Sequence, residues 1–137
     1  MGPGCHNEVR WVTRLVVEVI QGELIRDYGG TPGLRDEHAL EAALARAKHR
    51  RAYLPSADLP MLAAAYAYGL ARGHPFLDGN KRIAFVTACV FLGLNGYAIE
   101  APEVEVVEIM PALAAGRLGE AELAAWIRAR MVGRPER

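Results

Sequence analysis

The sequence is short of cysteine, of aromatic residues and of net charge, and each shortage removes a class of protein. Two cysteines cannot build a disulfide framework, and nothing around them makes a cysteine–histidine metal cluster. Cys5 falls in a leading stretch expected to be mobile, and Cys89, between Ala88 and Val90, reads as a buried structural thiol. Aromatics make up only 7% of the chain against 52% apolar residues overall, with alanine abundant, which suits closely packed helices. Sixteen acidic residues balance sixteen basic ones, so nonspecific attraction to nucleic acid or an anionic membrane is not expected, although a local basic cleft is compatible. The uncharged run 83–99 falls short of the ~20 residues that span a bilayer. The N-terminus has no apolar stretch of signal-peptide type, which points to the cytoplasm. Internal repeats, low-complexity segments and interdomain linkers are missing too. A chain of 137 residues can bury one respectable core, so residues 1–137 are expected to form one domain, with 1–7 mobile and 132–137 frayed.

What the sequence does have is concentrated between Arg72 and Gly96. From Ile83 to Leu94 the only polar side chain is Thr87. A run apolar all round belongs in a protein's interior. Asn95-Gly96 stops it as a helix C-terminal signal should. We therefore expect a buried central helix that begins near Gly79 or Asn80, fed by the loop Pro75 to Asp78. The first backbone N–H groups of such a helix lack internal partners and sit at the positive end of its dipole. Lys81 and Arg82 place two cations in that first turn, where they destabilise unless an anion joins them. A phosphate site follows, with Gly79 admitting a ligand close to the backbone. His74 can act as a base near neutral pH. Asp78 can hold a divalent cation, Asn80 can hydrogen-bond phosphate oxygens, and Arg72 can fork onto a phosphate from the preceding helix. Taken singly, these residues admit plainer roles: Asp78 or Asn80 as an N-cap, His74-Pro75 as a turn, Lys81 and Arg82 as a solvated edge. Those roles leave two cations at the wrong end of a buried helix unexplained.

The remaining helices follow from periodicity and punctuation. A first helix, capped by Asn7-Glu8, runs to about Tyr28 with Trp11, Leu15, Val19, Leu24 and Tyr28 at helical spacing. Gly29-Gly30 ends it. Asp36 caps a second helix through about Ala47, with Leu40, Ala43, Leu44 and Ala47 inward; Arg35 and Asp36 either touch the site or pair and cap. The basic run Arg46 to Arg51 reads as a solvated helix end. Pro60 opens a third helix that reaches about Gly73, and Tyr66 and Tyr68 read as core and core-edge residues. Beyond Tyr97 a short extended piece leads to Pro102, a fifth helix to about Ala115 and a sixth from Gly119 or Glu120 to about Met131. Val104, Val107, Ile109, Leu113, Leu123, Trp126 and Ile127 are expected to bury. The fold class is all-α, a compact bundle of about six helices.

The segment His74 to Arg82, HPFLDGNKR, resembles the signature of the Fic/Doc family, and its lysine resembles the Doc branch, the death-on-curing toxins. The glycine-rich block Tyr28 to Asp36, followed by Leu40 to Leu44, resembles the family's upstream block, and Leu94 to Tyr97 resembles the end of its central helix. The likeness covers about Val12 to Ile127. It implies nucleotide-dependent modification of a protein hydroxyl. AMP-transferring Fic enzymes carry glycine where this chain has Lys81, which leaves room for an α-phosphate beside the histidine. In Doc toxins the nucleotide lies in the reverse sense and presents its γ-phosphate, so the product is phosphorylation, and the family's target is a threonine of elongation factor Tu.

Carried onto this sequence, the resemblance makes His74 the base, Asp78 the residue that holds Mg²⁺ or positions His74, and Asn80, Lys81, Arg82 and the Gly79 N–H the phosphate binders. Arg72 matches a basic position before the motif. Gly79 stands where some Doc relatives carry alanine. ATP and Mg²⁺ are the implied substrate and cofactor. The self-inhibitory Ser/Thr-x-x-x-Glu-Gly/Asn run of many Fic proteins is missing, so the resemblance implies a separate antitoxin whose C-terminal tail folds as a helix into a groove. Two other functions fit the same residues: an AMP-transferase, and a non-catalytic module that binds a nucleotide or a partner.

Overall fold

The computed structural model describes residues 8–134. It contains six helices, α1 (Arg14–Tyr28), α2 (Glu37–Tyr53), α3 (Leu59–Gly73), α4 (Asn80–Leu94), α5 (Glu103–Ala114) and α6 (Glu120–Arg130). Two short strands, β1 (Tyr97–Ile99) and β2 (Met131–Gly133), complete the described structure. The all-α bundle expected from the sequence is what forms. Side-chain oxygens start the first three helices: Thr13 accepts from the Val16 N–H, Asp36 from that of Ala39 and Asp58 from that of Met61.

Helix α3 is the most enclosed, because alanine lets its neighbours approach on several sides. Ala63, Ala64, Ala65, Ala67 and Ala71 are fully buried with Leu62, Tyr66 and Leu70, and α2, α4 and α6 all pack on it. The approach of α2 is close at Gly69, where an added Cβ would lie 3.0 Å from the Ala43 Cα. Helix α4 meets the expected burial on one face, with Ile83, Ala84, Thr87, Ala88, Phe91 and Leu92 buried and its main packing against α3. Its other face, Phe85, Val86, Cys89 and Val90, is only half-buried. Burial pushes the Cys89 thiol up to about 11, in keeping with a structural role.

Four expectations need correction. The first helix starts at Arg14 with Thr13 as its cap, while residues 8–13 precede it without helical structure and dock through reciprocal bonds between Arg10 and the Asn95 carboxamide. A cap at Asn7 lies outside the described residues. The helical phase drawn through Trp11 was therefore false: Leu15, Val19 and Tyr28 are exposed, and Val17, Ile20 and Gln21 face the core. Helix α2 continues to Tyr53, and its basic end is not wholly solvated, since Arg46 and Arg50 both bind Glu120 of α6, at 2.6 and 2.9 Å. On α5, Val104 and Val107 are exposed while Met110 and Leu113 are buried. In the tail expected to fray from residue 132, β2 instead pairs antiparallel to β1, with Ala98 opposite Val132, and the Arg134 N–H donates to the Gly96 carbonyl just past α4. Residues 135–137 lie outside the described residues, as do 1–7, where mobility was expected.

Candidate active site

Helix α3 ends at His74, whose backbone turns left-handed (φ 48°, ψ 55°). Among the described residues it is the one non-glycine position with positive φ. That conformation is about 1–2 kcal/mol unfavourable for an L-residue, so the surroundings must enforce it. They do so from the glycine-rich segment between α1 and α2. The Pro75 carbonyl accepts from the N–H groups of Arg35 and Asp36, and the Gly33 carbonyl accepts from that of Leu77. The Arg35 guanidinium donates to the carbonyls of His74 and Gly73 at 2.6 and 2.9 Å. Phe76, 2% exposed, anchors the loop in the core below. The turn leaves the His74 side chain exposed, and no hydrogen bond among the described residues engages its imidazole.

Asp78 is exposed, and its Oδ2 accepts from the Thr31 N–H at 2.8 Å. Gly30 allows that approach, for a Cβ there would meet the Asp78 carboxyl at 3.3 Å. Gly79, at φ 82°, is the N-cap of α4 and makes no side-chain cap. Neither Asp78 nor Asn80 caps the helix, so the plainer role considered for them does not hold. The carboxamide of Asn80 instead closes the loop, accepting from the Phe76 N–H and donating to the Phe76 carbonyl. Lys81 and Arg82 are exposed in the first turn of α4, as the sequence places them. Lys81 has no ion-pair partner among the described residues, and the Arg82 guanidinium lies 4.1 Å above the Tyr28 ring. Arg72 donates to the Ala114 carbonyl at the C-terminal end of α5, where a cation suits the dipole.

The α4 N-terminus opens into a groove of about 570 Å³ between α1, α4 and α5. Gly79, Asn80, Lys81 and Arg82 line one part, and the rest is mostly apolar, including Leu24, Tyr28, Phe85, Val86, Val107 and Met110, with Glu103 the one acidic residue in the lining. His74, Asp78 and the α4 first turn thus follow one another along a single clamped loop, whereas Arg72 is tied towards α5. Sequence reasoning did not find Thr31 as the Asp78 partner or Tyr28 as the Arg82 partner. Both pairings join positions distant in the chain, and periodicity carries no signal of that kind. No cluster of three acidic, histidine or cysteine residues able to hold a metal occurs among the described residues. One carboxylate with its Oδ1 open fits Mg²⁺, which takes one or two protein carboxylates and completes its shell with substrate phosphates and water.

An exposed imidazole on a fixed turn, followed by an uncapped helix N-terminus that carries two cations, defines a protein class. A family model described as the Fic/DOC family matches residues 11–92, and the chain belongs to that family. It is 36% identical over 113 residues to the "Protein kinase doc" of Escherichia phage P1, covering 82% of this chain and 87% of that protein. It is also 41% identical over 78 residues to the "Toxin Doc" of Mycolicibacterium smegmatis, covering 54% of this chain and 58% of that one.

Proposed function

We propose that this chain is a Doc-type toxin that transfers the γ-phosphate of ATP to a hydroxyl of a translation protein, a threonine of elongation factor Tu by family likeness, and so arrests translation. The reading is carried by the uncapped α4 N-terminus with Lys81 and Arg82 in its first turn, next to an unengaged His74. The two relatives, one named a protein kinase and the other a toxin, support it. In the proposed reaction the substrate hydroxyl attacks the γ-phosphorus, its proton passes to the His74 imidazole, and the bond to the β,γ-bridging oxygen breaks to release ADP. The open N–H groups of α4 with Lys81 and Arg82 stabilise the charge that spreads over the phosphoryl oxygens. Asp78 would hold Mg²⁺ together with the phosphates, and the ion would neutralise charge on them. Arg72 and Asn80 stand as phosphate contacts only by likeness, since Asn80 spends both ends of its amide on Phe76. The groove between α1, α4 and α5 is the seat proposed for the antitoxin tail, and no direct contact with nucleic acid or membrane is part of the reading.

The test is incubation with Mg²⁺, bacterial lysate and ATP labelled at either the γ or the α position. Label from the γ position alone on one protein is expected; label from the α position would make the chain an AMP-transferase. His74→Ala is expected to lower the rate by roughly 10²–10⁴ with the fold intact. Full toxicity of that variant would remove catalysis from the reading and leave a binding module.

A further inference from the structure

Arg35 gathers three successive carbonyls. Its backbone N–H donates to Pro75 at 2.7 Å, its Nε to His74 at 2.6 Å and its terminal nitrogen to Gly73 at 2.9 Å. Two of those acceptors belong to the end of α3, where carbonyls lack helical partners and a cation suits the dipole. The residue between the gathered groups is the left-handed His74. We infer that Arg35 is a positioning residue for the transfer reaction: its planar fork holds the backbone from which the imidazole projects, and so fixes where the base meets the substrate hydroxyl. This rests on the proposed role of His74 as base.

The chemistry of arginine explains why this side chain suits the task. A guanidinium presents parallel donors in a rigid plane and stays charged at all working pH values, whereas a lysine ammonium offers one compact charge on a flexible stem. The fork grips the carbonyls of the two peptides that flank the His74 Cα, so rotation about that residue strains or breaks these bonds. Misplacement of a reacting group by about 1 Å is enough to lower a rate by about 10²-fold.

The experiment compares Arg35→Ala, Arg35→Lys, His74→Ala and the Arg35→Ala/His74→Ala double variant in the full chain. It measures transfer from both γ- and α-labelled ATP, and records the NMR signals of His74 without nucleotide. Arg35→Ala is expected to lower kcat roughly 10- to 100-fold with KM for ATP within about twofold, and Arg35→Lys to recover part of the loss. In the His74→Ala background the Arg35 substitution is expected to add almost nothing, because the group it positions is gone. The His74 signals are expected to shift or broaden in Arg35→Ala. Unchanged His74 signals would overturn the inference even if activity fell. So would equal fold losses from Arg35→Ala with and without His74, or a raised KM at constant kcat. An active His74→Ala would instead remove the catalytic reading, and the NMR arm would still report whether Arg35 holds the turn.

Discussion

The carboxamide of Asn80 accepts from the N–H of Phe76 and donates to its carbonyl, at 3.0 and 2.9 Å, which makes a short cross-brace inside the loop that carries Asp78. The residue type had suggested a phosphate contact, and the sequence alone gives no means of telling the two apart: an asparagine at a helix start suits either. The bonds are partly buried, and each contributes roughly 0.5–1.5 kcal/mol net. Asn80→Ala is therefore expected to lower unfolding stability by about 1–3 kcal/mol, read as a shifted urea midpoint at constant slope. An unchanged midpoint with impaired nucleotide binding would return Asn80 to the phosphate role alone. His74, Asp78, Lys81 and Arg82 were legible because their chemistry is local to nine residues. The contacts of Arg35 and Thr31 were not, since each joins residues some forty positions apart.

Asp58 shows how one side chain serves two elements. Its Oδ1 caps α3 at the Met61 N–H, and both oxygens accept from Arg128 of α6 at 2.9 and 3.0 Å. The Arg128 guanidinium holds its carboxyl below the usual aspartate value, with the Met61 N–H adding to the effect. A depressed carboxylate contributes stability that is present above about pH 4, the ordinary aspartate value, and is lost as the pH falls through the lower folded value. Asp58→Asn keeps a cap and removes the ion pair. The pair is about half exposed, so the variant is expected to lose no more than about 1 kcal/mol at neutral pH. The two stability curves should converge in acid, where both side chains are neutral; a difference constant from pH 7 down to pH 3 would show that the ion pair is not its source. Helix existence was readable from caps and glycines at this scale, and α3 and α4 fall within a residue of expectation. Helix phase was harder. Trp11 packs 6.1 Å from Phe91 although it precedes α1, so a periodicity run through it turned the helix to the wrong face. Strand β2 was missed because three residues carry too little pattern.

At the scale of the whole molecule, the valines that the sequence placed in the core, Val104 and Val107, are 64% and 63% exposed. Periodicity identified an apolar α5, but it cannot say whether the chain itself or another protein covers each face. Val107 lines the groove that runs from Lys81 and Arg82 past Phe85, Val86 and Met110. An apolar floor with cations at one end suits an amphipathic helix that carries acidic residues near one terminus. If that groove seats the antitoxin, a charge placed on its rim should be felt by the partner before it is felt by the reaction. Val107→Glu is expected to raise the Kd for the protein encoded next to this chain by about 10- to 100-fold, the loss of one to two factors of 1.4 kcal/mol. Transfer from γ-labelled ATP by the free toxin should stay within about twofold. In cells, co-expression should then no longer relieve the growth arrest. Full neutralisation of Val107→Glu by the antitoxin would place the antitoxin on a different surface, and equal loss of binding and transfer would show that the groove belongs to the nucleotide as well.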